Sequence, residues 1–159
     1  MLNNVKNELS LFSKYVIQQS RTNLTKGKKN VSKELYNSLD YDLNVSPNSF
    51  SLSFLMEEYG MFQDKGVKGK NSSAKAPNSP YKFGSGTGRK GGLTESINKW
   101  VRARRFQFRD KKSGRFMSYD STAFLISRSI YNKGIEASLF FTKPFERAFK
   151  RLDADIIKA

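Results

Sequence analysis

The sequence predicts an α+β fold: a small antiparallel β-sheet, in essence one long hairpin, wrapped by N-terminal and C-terminal helices and carrying a long basic loop. Three observations predict it. Leu2, Val5, Leu9, Phe12 and Val16 recur at intervals of three and four, which sets them on one stripe of a helix. Leu39, Tyr41, Leu43 and Val45, then Phe50, Leu52, Phe54 and Met56, alternate with polar residues at the period of a strand. Between residues 64 and 92 neither period holds, and Gly, Lys, Ser, Asn and Pro dominate.

The first helix is expected over residues 3–24, followed by a basic turn at 25–30. Val31, Leu35 and Leu39 suit a short second helical stretch. Ser46-Pro47-Asn48-Ser49 has the composition of the turn between two strands, so the alternating runs on either side make a hairpin with one buried face. Residues 64–92 read as a long mobile loop, because their burial cannot offset the entropy of ordering them. Beyond it, Thr94 is a candidate N-cap for a helix over 94–105, with Leu93, Ile97, Trp100, Val101 and Arg104 along one face. Phe106, Phe108, the turn-forming run Asp110-Lys111-Lys112-Ser113-Gly114 and Phe116 resemble a short hairpin or ordered turn. Asp120 can cap a helix bearing Ala123, Phe124, Ser127, Ile130 and Tyr131, which ends at Lys133-Gly134. Thr142 can cap the last helix, where Pro144 sits harmlessly in the first turn. Phe145, Phe149, Leu152 and Ile156 form its stripe, expected to dock beside Leu43, Phe50, Leu52 and Phe54.

At 159 residues, 37% hydrophobic and 13% aromatic, the chain has the apolar material for one domain. Its +15 net charge exceeds what solubility needs, which implies a polyanion or an acidic partner. That charge is regional. Residues 1–60 carry +1 and residues 118–159 carry +2, whereas residues 61–117 hold fifteen basic and three acidic side chains.

The absence of His and Cys excludes the usual structural zinc sites, disulfides, thiolate nucleophiles and imidazole bases. No apolar run approaches the roughly 20 residues of a membrane span, and the N-terminus lacks a signal peptide's apolar segment. A soluble chain without membrane contact is expected. Gly86-Thr87-Gly88-Arg89-Lys90-Gly91 has the letters of a dinucleotide-binding turn but neither a preceding buried strand nor a βαβ unit. A Walker loop fails because Gly91 follows Lys90 where Ser or Thr must hold magnesium. The carboxylate pairs Asp40/Asp42, Glu57/Glu58 and Asp153/Asp155 fit polar faces and a strand end better than a catalytic cleft. The expectation is therefore a protein that is not an enzyme and takes no cofactor or metal.

The run from Lys99 to Phe116 interleaves cations with rings: Trp100, Arg102, Arg104, Arg105, Phe106, Phe108, Arg109, Lys111, Lys112 and Arg115 lie within it. Single-stranded nucleic-acid grooves use such a pattern. Because the rings keep the period of amphipathic elements, the favoured reading places them in the core, with the cations as a solvated rim.

The order of elements resembles the neck, head–tail connector or tail-completion proteins of tailed bacteriophages, over nearly the whole chain. Glu34-Leu35-Tyr36-Asn37-Ser38-Leu39 resembles that family's junction after the first helix. Met56-Glu57-Glu58-Tyr59-Gly60 with Gln63-Asp64-Lys65-Gly66 resembles its strand end and the mouth of its variable loop. Gly134-Ile135-Glu136-Ala137 and Phe140-Phe141-Thr142-Lys143-Pro144-Phe145 resemble its glycine turn and final helix. The wording is closest to virion proteins of short-tailed or divergent phages, crAss-like ones among them. The basic loop and residues 104–116 depart from the family's pattern.

The resemblance implies a virion protein, made in the host cytoplasm, that forms a homo-oligomeric ring bridging portal or connector to tail around packaged DNA. The charge map adds an arm from the loop. Subunit or ring contacts are then expected at Tyr59, Gly60, Phe62, Lys65, Lys68, Lys70, Lys75, Tyr81 and Phe83. Contacts to DNA or an acidic partner are expected at Arg89, Lys90, Arg102, Arg104, Arg105, Arg109, Lys111, Lys112 and Arg115. The alternative is a monomeric basic nucleic-acid-binding protein.

Overall fold

A computed structural model describes residues 2–28, 33–86 and 90–158. Val31, together with Thr87, Gly88 and Arg89, lies outside the described residues. The architecture is α+β, with helices flanking a two-stranded antiparallel hairpin. The single domain expected from length is laid out as two compact units, residues 1–64 with 138–159, and residues 65–137.

The first unit is built on α1 (Leu2–Lys26), whose stripe buries Leu9, Phe12, Val16, Ile17 and Leu24. Ser13 and Ser20 lie in the same buried face and turn their hydroxyls inward along the helix, donating to the Leu9 and Val16 carbonyls at 2.7 Å each. Next come α2 (Glu34–Ser38) and the hairpin of β1 (Asp40–Ser46) and β2 (Ser49–Leu55), paired from Asp40↔Leu55 to Ser46↔Ser49. Leu43, Leu52 and Phe54 join α1 and the last helix, α6 (Thr142–Lys158), in one apolar cluster around Leu9, Phe12, Val16 and Leu152. A second cluster gathers Ile17, Leu24, Leu35, Leu39 and Phe140. Leu35 and Leu39 are supplied by α2 and the residue after it, whose carbonyls are tied to α1: Arg21 donates to the Tyr36 and Leu39 oxygens.

The final stripe docks as expected except at two positions. Phe50 at the hairpin tip and Phe149 on α6 stay 53% and 51% exposed. Phe149 lies one helical turn beyond Phe145 and stacks on it rather than reaching the sheet. The strand end expected at Met56–Gly60 instead gives way to a helix, α3 (Tyr59–Lys65). Gly60 is pressed between neighbours, since a Cβ there would sit 2.7 Å from the Met56 sulfur and 2.8 Å from Leu35 Cδ1.

The second unit corrects the expectation of an unstructured arm. Residues 65–86 are folded down, with Val67, Ala76 and Ser79 buried. β3 (Val67–Lys68) pairs antiparallel with β4 (Gly134–Ile135), and Lys68 also bridges Lys82 in parallel. The glycines explain why so polar a stretch can settle. At Gly69 a Cβ would fall on the Asn132 carbonyl, so only glycine lets this backbone lie along the end of α5 (Tyr119–Lys133). There the Lys70 and Asn71 amides donate to the Tyr131 and Asn132 carbonyls at 2.9 and 3.2 Å. Backbone hydrogen bonds and close approach, which hydropathy does not register, take the place of apolar burial.

Helix α4 (Gly92–Arg104) packs on α5 through Val101, Thr122, Ala123 and Ser127. Three expected caps are replaced. Gly91, with φ 76°, stands at the cap position of α4 in place of Thr94, and Ser118 caps α5 by accepting from the Ser121 amide, which puts Asp120 in the first turn. Thr142 is the first residue of its helix and is itself capped by Asp64.

Candidate nucleic-acid interface

The basic run begins where α4 stops. Arg105 adopts φ 52°, the left-handed conformation that ends helices, and its amide donates to Arg102 while the Phe106 amide donates to Val101 at 2.9 Å. This reversal turns the chain back so that Phe106 lies against Trp100, with ring centroids 6.1 Å apart, and Phe108 meets Phe106 edge-on at 5.3 Å. A single antiparallel bridge, Arg109↔Phe116, then closes the expected short hairpin. Its turn is organised by Asp110, whose Oδ1 accepts from the Lys112 and Ser113 amides at 2.7 and 3.0 Å. The Ser113 and Lys112 amides hold the Asp110 carboxyl below the ordinary carboxylate value.

The rings are not core. Trp100, Phe106, Phe108 and Phe116 keep 39%, 41%, 36% and 63% of their surface in solvent, so the favoured sequence reading is corrected. The buried positions of α4 and α5 are instead held by smaller side chains, Val101 on α4 and Thr122 and Ala123 on α5. The Arg109 guanidinium lies 4.8 Å over the Phe116 ring.

The cations are exposed at Lys90, Arg102, Arg104, Arg105, Arg109, Lys111, Lys112 and Arg115. They are not equivalent. Arg102 is tied in place: its Nε donates to Asn98 at 2.7 Å, its Nη2 reaches Asp120 at 3.1 Å, and its guanidinium covers the Tyr119 ring at 5.2 Å. The Asn98 amide, followed by Arg102, holds the Asp120 carboxyl below its ordinary range. The sequence pattern does not assign Tyr119 and Asp120 to this surface. Only the packing of α5 on α4 brings them to Arg102.

The expected ring contacts differ in exposure. Lys70, Lys75 and half-exposed Tyr59 face solvent, whereas Phe62, Lys65, Lys68, Tyr81 and Phe83 are partly covered, and Gly60 is buried. Burial pushes the Tyr59 phenol upward. Phe83 packs on Tyr131 at 5.8 Å, which gives it a role inside the second unit. The carboxylates of Asp40, Asp42, Glu57, Glu58, Asp153 and Asp155 are all exposed, and among the described residues no three acidic groups gather. A depression of about 250 Å³ lined by Asn23, Lys26, Ser138 and Lys143 is smaller than the ~300–1,000 Å³ of typical small-molecule sites.

No family model, curated protein or solved structure matches this chain. Among the described residues no helix is long and apolar enough to cross a membrane.

Proposed function

We propose that this chain is a structural virion protein that forms an oligomeric ring at the head–tail junction or tail of a tailed bacteriophage. It would bridge portal or connector proteins to the tail and bound the DNA channel, working by contact and charge without catalysis or cofactor. The observation that carries this reading is the pairing of large exposed side chains with regional charge. Leu11, Tyr15, Phe50 and Phe149 on the first unit, and the rings of residues 100–116 on the second, leave much apolar surface for partners to cover. Fifteen basic residues against three acidic ones in residues 61–117 supply an electrostatic counterpart for packaged DNA or acidic virion neighbours. The order of helix, hairpin, glycine turn and Pro-bearing last helix is the order that resembles the connector family.

The test is the particle. Purified virions probed with antibody to this chain, together with the native mass of the chain mixed with its portal and tail neighbours, should show multiple copies at the neck or tail. A chain missing from the virions would overturn the proposal. The second reading, a monomeric nucleic-acid-binding protein, is favoured by the exposed rings and predicts tight, salt-sensitive binding by the free chain.

A further inference from the structure

Cations alone suffice to hold a duplex by its phosphates, so the rings of the second unit call for a different ligand. Trp100, Phe106 and Phe108 form a run of touching rings, at 6.1 and 5.3 Å between centroids, each more than a third exposed. Residues 99–115 that contain them hold eight basic side chains and one acidic one, Asp110, whose carboxylate is engaged by the amides of its own turn. Paired bases in a duplex offer only their edges, whereas unpaired bases offer π-faces beside a charged backbone. We propose that Trp100, Phe106 and Phe108 are a stacking platform for unpaired bases of single-stranded nucleic acid, with the neighbouring cations receiving its phosphates. An acidic protein segment would match the charge but would leave the rings uncovered unless it brought apolar groups of its own. The inference goes beyond the ring proposal and does not rest on it, because a ring subunit and a monomer could equally carry such a platform.

Trp100 is the single tryptophan, so its emission reports on this surface alone. The experiment titrates the full chain with an oligothymidylate of roughly 12 nucleotides, within the ~4–16 that one small domain covers. A duplex of equal length and polyglutamate are titrated in parallel. Saturable quenching of Trp100 by the single strand is expected, with the duplex binding more weakly or without quenching. Phe106→Ala should weaken single-strand affinity on the order of tenfold, and Phe106→Tyr, which keeps a ring, should retain it. Thermal melts confirm folding. Should Phe106→Ala fail to fold, Phe106→Leu, which keeps apolar bulk without a ring, replaces it and should show the same loss. Equal quenching by duplex or by polyglutamate overturns the proposal. So does single-strand binding that leaves Trp100 emission unchanged, or no single-strand binding at all. Particle assembly is read separately, so the two proposals can fail independently.

Discussion

Asp64, at the end of α3, caps the helix that begins at Thr142. Its Oδ1 accepts from the Phe141 and Thr142 amides at 3.0 Å each, and its Oδ2 accepts the Thr142 hydroxyl. The carboxylate is almost fully buried, yet it satisfies amides that α6 would otherwise leave without partners. Beside it the Ser138 and Leu139 amides donate to the Gln63 and Asp64 carbonyls. The first unit is thus closed on itself at the two points where the chain leaves for residues 65–137 and returns.

Asp64→Ala should therefore cost about 2 kcal/mol or more, since it removes a cap and strands buried donors. Denaturant melts measure it. A loss under ~0.5 kcal/mol would mean that water replaces the carboxylate without penalty.

Phe140 and Phe149 should separate sharply when truncated. Phe140, 2% exposed, belongs to the cluster of Ile17, Leu24, Leu35 and Leu39, so Phe140→Ala should cost about 3–5 kcal/mol. Phe149 gives up only its stack on Phe145, for which about 1 kcal/mol is expected. Equal losses in parallel melts would contradict the burial described.

Gly69→Ala tests how the second unit is fastened. The added methyl meets backbone at Asn132, which cannot yield as a flexible side chain would, and a cost of about 1–3 kcal/mol is expected. Hydrogen exchange should show faster exchange at the Lys70 and Asn71 amides in this variant. Unchanged protection would mean that this stretch is held elsewhere.

The Asp120 carboxyl should titrate below the ordinary carboxylate value when followed by NMR, and Arg102→Ala should raise it. Because the folded state favours the ionised form, this contribution is present above the unfolded carboxylate pKa of about 3.9 and is lost as pH falls through the lower folded value. An unchanged titration in the variant would assign the shift to Asn98 alone.

Reversing Lys111, Lys112 and Arg115 to Glu should leave the melt of the isolated chain nearly unchanged, since exposed like charges add little stability. Joining of DNA-filled heads to tails should fail if the ring proposal holds. Normal particles from the variant would mean that these cations serve neither DNA nor an acidic neighbour in the virion.

Local rules reached most of the elements because they need only neighbours in sequence. The three-and-four spacing from Leu2 to Val16, the alternation through Tyr41 and Phe54 and the Pro144 start of the last helix each appear where the residues place them. Gly91, Ser118 and Asp64 cap α4, α5 and α6 in place of Thr94, Asp120 and Thr142, because several polar residues stand near each helix start and backbone geometry chooses among them. The short helix at Tyr59–Lys65 is too brief to show a period.

By itself, then, the sequence determined the fold class, the hairpin with its turn, and the confinement of most of the charge to residues 61–117. Those properties are set by residue type and short-range spacing. Only the tertiary structure decided that residues 65–86 fold down on the end of α5, that Asp64 caps a helix 78 positions away, and that Trp100, Phe106 and Phe108 face solvent. The physical reason is common to all three. A close backbone approach, a buried cap and a ring left outside a core depend on which distant groups share a volume, and periodicity along the chain carries no information about that.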